Sequence, residues 1–259
     1  MISLRGRRAV VTGGGRGLGK AIAARLAEAG ADLVIGDIDA ELAAAAAADL
    51  AGRYGVRVAG VHMDVTDSAS VAAVADRAVA DLGGLEIWVN NAGVFPSVPL
   101  LEMSDQTWDD VFSVNARGVF AGAREAARRM APAGGGVIVN IISTAGFRAS
   151  APGLAAYVGS KHAARGVTRE MAVELAPLGI RVLGVAPSFV PTEGNMAAAA
   201  AMMAEVGADG PPPTPLMLNS PIGRVGVPDD IARVVLFCAS DLSTFMTGST
   251  LLADGGDTA

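Results

Sequence analysis

The chain has 259 residues, of which 51% are hydrophobic and 18% charged, with a net charge of −6. That composition points to a large core and to additional buried surface between subunits. The acidic balance and the lack of any basic run argue against a nucleic-acid surface, and no cluster of Lys and Arg marks a membrane.

Residues 1–8 carry no apolar stretch of signal-peptide length, so the fold is expected to begin at once and the protein to be cytoplasmic. A first strand over 9–12 runs into Thr12-Gly13-Gly14-Gly15-Arg16-Gly17-Leu18-Gly19 and then a helix over 18–29. Gly13 permits a tight strand-to-helix turn, Gly17 lets backbone approach a pyrophosphate, and Gly19 allows close helix–sheet packing. The helix then turns its positive end towards phosphate. A second strand over 33–36 is followed by Asp37, 20 residues after Gly17. A carboxylate there accepts hydrogen bonds from ribose hydroxyls and repels a 2′-phosphate. Helices over 40–53 and 68–82 flank a strand over 56–62, and Asp64, Thr66 and Asp67 all qualify as cap for the second of them. A strand over 86–89 ends in Asn90-Asn91-Ala92-Gly93, where amides can satisfy backbone groups as the chain leaves a sheet. One long helical pattern spans 105–130 and contains Asn115, a poor residue for a helix interior, between apolar neighbours.

The strand over 137–142 delivers Ser143, and Tyr157-Val158-Gly159-Ser160-Lys161 follows in a helix over 154–177. Residues four apart on a helix share one face. A fixed ammonium there favours the phenolate and pulls the Tyr157 pKa down from about 10. Tyr157 therefore reads as a general acid/base, with the Ser143 hydroxyl holding a substrate oxygen beside it. A strand over 181–186 leads into Pro187-Ser188-Phe189-Val190-Pro191-Thr192. The irregular segment 191–221, apolar over 195–206, is expected to be a substrate lid. A helix over 229–239 holds the lone Cys238, which excludes an intrachain disulfide and reads as a small buried hydrophobe. A last strand covers 250–253. Seven strands alternating with six helices imply parallel βαβ units in an α/β fold. His62 and His162 have no partner at ligand spacing, so no metal is expected.

Together these motifs resemble the short-chain dehydrogenase/reductase family, from Gly6 to Gly256. The resemblance implies a single Rossmann-type, doubly wound domain over 1–259 and a nicotinamide-dependent oxidoreductase. Its catalytic set would be Asn115, Ser143, Tyr157 and Lys161. Asn115 would hold a water through a local helix distortion and connect Lys161 to solvent, while Lys161 also holds the nicotinamide ribose. Cofactor contacts are implied at Gly13, Arg16, Gly17, Leu18 and Gly19, then at Asp37, Ile38, Asp64 and Val65. Further ones fall at Asn91, Ala92, Gly93, Tyr157, Lys161, Pro187, Val190 and Thr192.

Asp37 is present, and Ile38 stands where phosphate-binding members carry a second basic group, so NAD is favoured over NADP despite Arg16. Two positions depart from the family pattern: Leu183 replaces Asn, and Ser188 replaces a Gly. If the latter needs positive φ, Ser costs about 1 kcal/mol. A pocket of Phe95, Phe147, Phe189 and Met196 implies an apolar cyclic or aromatic secondary alcohol, with Arg148 either solvated or paired to an acidic group on the substrate. One rival is an NADPH-dependent 3-oxoacyl-carrier-type ketoreductase; another, of a different class, is a non-catalytic dinucleotide-binding sensor. The family pairs subunits through the helices at 105–130 and 154–177 and through the final segment, which implies a homotetramer.

Overall fold

The computed structural model describes residues 2–194, 196 and 220–259. Seven parallel strands form one sheet in the order β3-β2-β1-β4-β5-β6-β7. They are β1 (Arg8–Thr12), β2 (Asp32–Asp37), β3 (Val58–His62), β4 (Ile87–Asn90), β5 (Gly136–Ile141), β6 (Ile180–Pro187) and β7 (Thr250–Ala253). Both faces are covered, which is why these strands read as near-continuous apolar runs rather than as alternating ones. Alternate residues still face opposite ways. Val11, Ile35, Val89, Val139 and Val185 pack under helices α1 (Gly17–Glu28), α2 (Ala40–Tyr54) and α7 (Pro228–Ala239). Val10, Val34, Trp88, Ile138 and Val182 pack under α3 (Ser68–Leu82), α5 (Gly118–Met130) and α6 (Ala155–Leu175). The strand order reverses between β1 and β4, and such a fold opens its binding crevice at the carboxyl ends of the strands there.

Local chemistry sets the helix limits. Asp39 caps α2 by accepting from the N–H groups of Glu41 and Leu42, and Gly55, with φ 67, ends it in the left-handed region. The alanine run in α2 is two-faced: Ala43, Ala46 and Ala47 are buried and Ala44, Ala45 and Ala48 exposed. Its small inner face lets the helix lie against β3, where a Cβ on Gly60 would come within 2.3 Å of the Ala43 carbonyl oxygen. The helical pattern over 105–130 is not one continuous α-helix. It divides into α4 (Asp105–Phe112), a π-helical segment (Ser113–Arg117) and α5.

Among the described residues, no helix is long and apolar enough to cross a membrane. Residues 195 and 197–219, which hold most of the expected lid and its apolar stretch, lie outside the described residues.

Candidate active site

The glycine-rich turn is tied down from the neighbouring strand. The Thr12 hydroxyl accepts from the N–H groups of Asn91 and Ala92, each at 3.0 Å. The Asn91 amide returns the contact to the carbonyls of Thr12 and Gly13, at 2.9 and 3.0 Å. Gly13 and Gly17 both have positive φ, 62 and 54. A Cβ on Gly19 would lie 2.1 Å from the Gly13 carbonyl oxygen, so α1 can enter this turn only with glycine at that place. The result is a cradle of backbone at a helix N-terminus, which fits the pyrophosphate of a dinucleotide.

Asp37 is buried at the end of β2 and accepts from the Gly15 N–H at 2.9 Å and the Asp39 N–H at 3.1 Å. It therefore orders the turn, and its oxygens keep further lone pairs for ribose hydroxyls. Arg16 and Ile38 are exposed, and Leu18 is partly buried against the core. Asp64 accepts from the Thr66 N–H and hydroxyl at 2.8 and 2.7 Å, leaving Asp67 to cap α3. Val65 lies against bare Gly118, where a Cβ would come within 3.1 Å of it.

The four catalytic candidates converge from three elements: the π-helical segment, the turn after β5 and α6. The π-helical segment turns Asn115 fully into the interior. Its Oδ1 accepts from the Val94 N–H at 2.9 Å, and its Nδ2 donates to the Val94 carbonyl at 2.7 Å and to Ser160 Oγ at 3.0 Å. The Ser160 hydroxyl donates in turn to the Tyr157 carbonyl at 2.8 Å. Lys161, buried on α6, donates from Nζ to the Ile141 carbonyl at 2.9 Å and lies 5.7 Å from the Tyr157 ring centroid. Gly93 keeps this meeting point open: a Cβ there would sit 3.2 Å from Asn115 Oδ1 and 3.6 Å from Lys161 Nζ. Ser143 caps the short turn after β5 by accepting from the Ala145 N–H at 3.1 Å, and its hydroxyl lies near enough to the Tyr157 phenol to favour the phenolate.

The electrostatics correct one expectation. Burial pushes the Tyr157 phenol above its ordinary value, and the nearby Ser143 hydroxyl only partly reverses this. Burial also lowers Lys161, to about 8. Lys161 does not hold Tyr157 down as the four-residue spacing implies, because desolvation penalises the charged form of both groups.

The loop after β6 is unstrained. No described non-glycine residue has positive φ, so Ser188 incurs no left-handed penalty. Leu183, in place of the family's Asn, is simply core, and Val190 is also buried there. Thr192 reaches the glycine-rich turn, where a Cβ on Gly17 would lie 3.4 Å from it.

The aromatic candidates separate. Phe95 meets Tyr157 edge-on, with ring centroids 6.0 Å apart, and Phe147 lies beneath the Arg165 guanidinium at 3.8 Å. Phe189 lines a cavity of about 780 Å³ together with Thr144 and Leu154, while Met196 is exposed. The C-terminal residues Asp254, Gly255, Gly256 and Asp257 also line this cavity, whereas the sequence marked that segment only for subunit pairing. There Asp257 pairs with Arg148 at 2.6 Å, a contact between residues 109 apart, so Arg148 is not simply solvated.

A family model described as enoyl-(acyl carrier protein) reductase matches residues 13–258. The chain is 39% identical to D-threitol dehydrogenase of Mycolicibacterium smegmatis over 98% of this chain and 94% of the relative. It is 40% identical to cis-4-hydroxycyclohexanecarboxylate dehydrogenase of Sinomonas cyclohexanicum over 98% of this chain and 97% of the relative. A crystal structure of a short-chain type dehydrogenase/reductase from Mycobacterium marinum superposes with a TM-score of 0.88 at 34% identity, covering 99% of this chain and 97% of that one. The chain belongs to the short-chain dehydrogenase/reductase family. It is an oxidoreductase that acts on CH–OH groups of small molecules with a nicotinamide dinucleotide.

Proposed function

We propose that the chain interconverts a secondary alcohol and a ketone with NAD(H), on an apolar cyclic or aromatic substrate. The observation that carries this reading is the meeting of Ser143 with the Tyr157 phenol beside buried Lys161, with the Phe95 ring edge-on to Tyr157. Ser143 holds the substrate oxygen, and Tyr157 takes or gives its proton. When bound, the nicotinamide supplies hydride transfer at the carbon bearing that oxygen. Lys161 uses one of its three donors on the Ile141 carbonyl and has two left for ribose hydroxyls and the proton path. Both amide protons of Asn115 are engaged, so a relay water would rest on the backbone that the π-helical segment frees rather than on that side chain.

Asp37 supports NAD over NADP. A 2′-phosphate beside it would meet a buried carboxylate already fixed by two backbone N–H groups. Asp37→Ser keeps one acceptor for the turn and removes the charge. The kcat/KM ratio of NAD to NADP is then expected to fall by about 10- to 100-fold, with exposed Arg16 free to meet the phosphate. A wild-type kcat/KM higher with NADP would sink the assignment and favour the NADPH-dependent 3-oxoacyl-carrier-type ketoreductase.

Incubation with NAD and a panel of cyclic and aromatic secondary alcohols, followed by absorbance of the reduced cofactor, tests the function as a whole. Formation of NADH with a cyclic alcohol is expected. Tight NAD binding without turnover on any alcohol or ketone would favour the sensor reading instead. We place the enzyme in the cytoplasm as one catalytic domain assembled into homotetramers. Exposed Trp108 and Val173 on α4 and α6, and Leu242, Phe245 and Leu252 near the C-terminus, supply apolar surface for two kinds of subunit contact.

A further inference from the structure

The cavity lined by Thr144, Leu154 and Phe189, the first of them next in sequence to Ser143, carries charges whose consequence rests on the dehydrogenase reading above. Its lining includes two guanidinium groups, Arg148 and Arg224, and three carboxylates, Asp230, Asp254 and Asp257. Neither arginine is free. Arg148 donates to Asp257 at 2.6 Å, and Arg224 forms a two-pronged pair with Asp230 at 2.6 and 2.7 Å. Asp254 is the surplus charge, held by the N–H groups of Gly256 and Thr258, each at 3.0 Å, and by the Thr258 hydroxyl at 2.6 Å. Two positive charges against three negative ones leave the described wall at −1.

We propose that this pocket selects uncharged alcohols and ketones, and that Asp257 excludes anionic ones by occupying Arg148. A carboxylate or sulfonate entering the cavity meets the Asp254 and Asp257 charges. To reach Arg148 it must displace Asp257 and leave that carboxylate without its partner. A neutral substituent disturbs neither pair. Specificity of this kind comes from the repulsive element as much as from any attractive contact.

Two ligands of nearly equal shape separate charge from fit: 4-hydroxycyclohexanecarboxamide and 4-hydroxycyclohexanecarboxylate. Isothermal titration of the full chain in saturating NADH is expected to give the amide about tenfold tighter binding, or more. Asp257→Asn is expected to close that gap, because Arg148 is then free to meet the carboxylate. Asp257→Ser gives the same reading if the amide variant folds poorly. In the wild type, added salt is expected to narrow the gap by screening the exposed charges. Equal affinities, tighter carboxylate binding, binding of neither ligand, or a gap that neither salt nor either variant alters would overturn the proposal. The titration needs no turnover. Failure of the alcohol panel would therefore remove the dehydrogenase reading, while an inverted titration beside a successful panel would remove only the charge selection.

Discussion

Replacing Tyr157 with phenylalanine is expected to lower turnover in both directions by about 10²- to 10⁴-fold, the usual contribution of a positioned acid/base. The substitution removes one oxygen and keeps the ring that meets Phe95 edge-on and lies below the Lys161 ammonium. Packing and cofactor affinity should therefore survive, with the dissociation constant of NADH changed by no more than a few fold. Steady-state rates on the best panel alcohol, together with a fluorescence titration of NADH, measure the two effects separately. Turnover close to that of the wild type would remove Tyr157 from the proposed mechanism. A parallel loss of turnover and cofactor binding would instead mean that the phenol holds the site together.

Lys161→Met separates function from stability in the opposite sense. Loss of the ammonium is expected to reduce kcat/KM by at least about 10²-fold, because one group is assigned both ribose binding and the proton path. Burial holds Lys161 at about 8 in the folded chain, below the ordinary value of 10.5. Below pH 8 the folded state must carry a buried charge that the unfolded chain keeps in water, so this group weakens the fold there. Between about 8 and 10.5 the folded chain releases its proton first, and the penalty fades. Measured by denaturant unfolding, the wild type should therefore gain on the Met variant by about 2–3 kcal/mol from pH 7 to pH 10. A stability difference that does not change with pH would mean that the lysine is not depressed.

The strands and the glycine-rich turn were legible because their signals are local. A buried parallel strand needs an apolar run, and Gly13 and Gly19 answer constraints set within a few residues of them. The Tyr157–Lys161 spacing was equally plain, whereas the resulting electrostatics were not, since desolvation depends on everything folded around the pair. The break inside 105–130 was implied only by the family resemblance, as a helix distortion at Asn115, because the local sequence carries no sign of it. Ser113-Val114-Asn115-Ala116-Arg117 contains no proline or glycine to mark it, and the contacts that hold Asn115 inward come from Val94 and Ser160, 21 and 45 residues away. Nor does any short-range pattern join Arg148 to Asp257. At Ser188 the family pattern raised a concern that the backbone answers with ordinary dihedrals.

The π-helical segment also acts as a phase shifter. One residue added to an α-helix rotates everything beyond it by about 100°, so α4 and α5 share a path while presenting unrelated faces to the protein. On the downstream side this rotation presents Gly122 to β4, where a Cβ would come within 2.1 Å of Asn90 Oδ1, and Gly118 to Val65. Shortening the segment by one residue would thus do more than move Asn115. It would turn the whole thirteen-residue α5 out of register with the sheet, driving larger side chains into the places that only glycine can fill. The amide in the site and the seating of α5 are set by the same inserted residue, and neither can drift in sequence without the other.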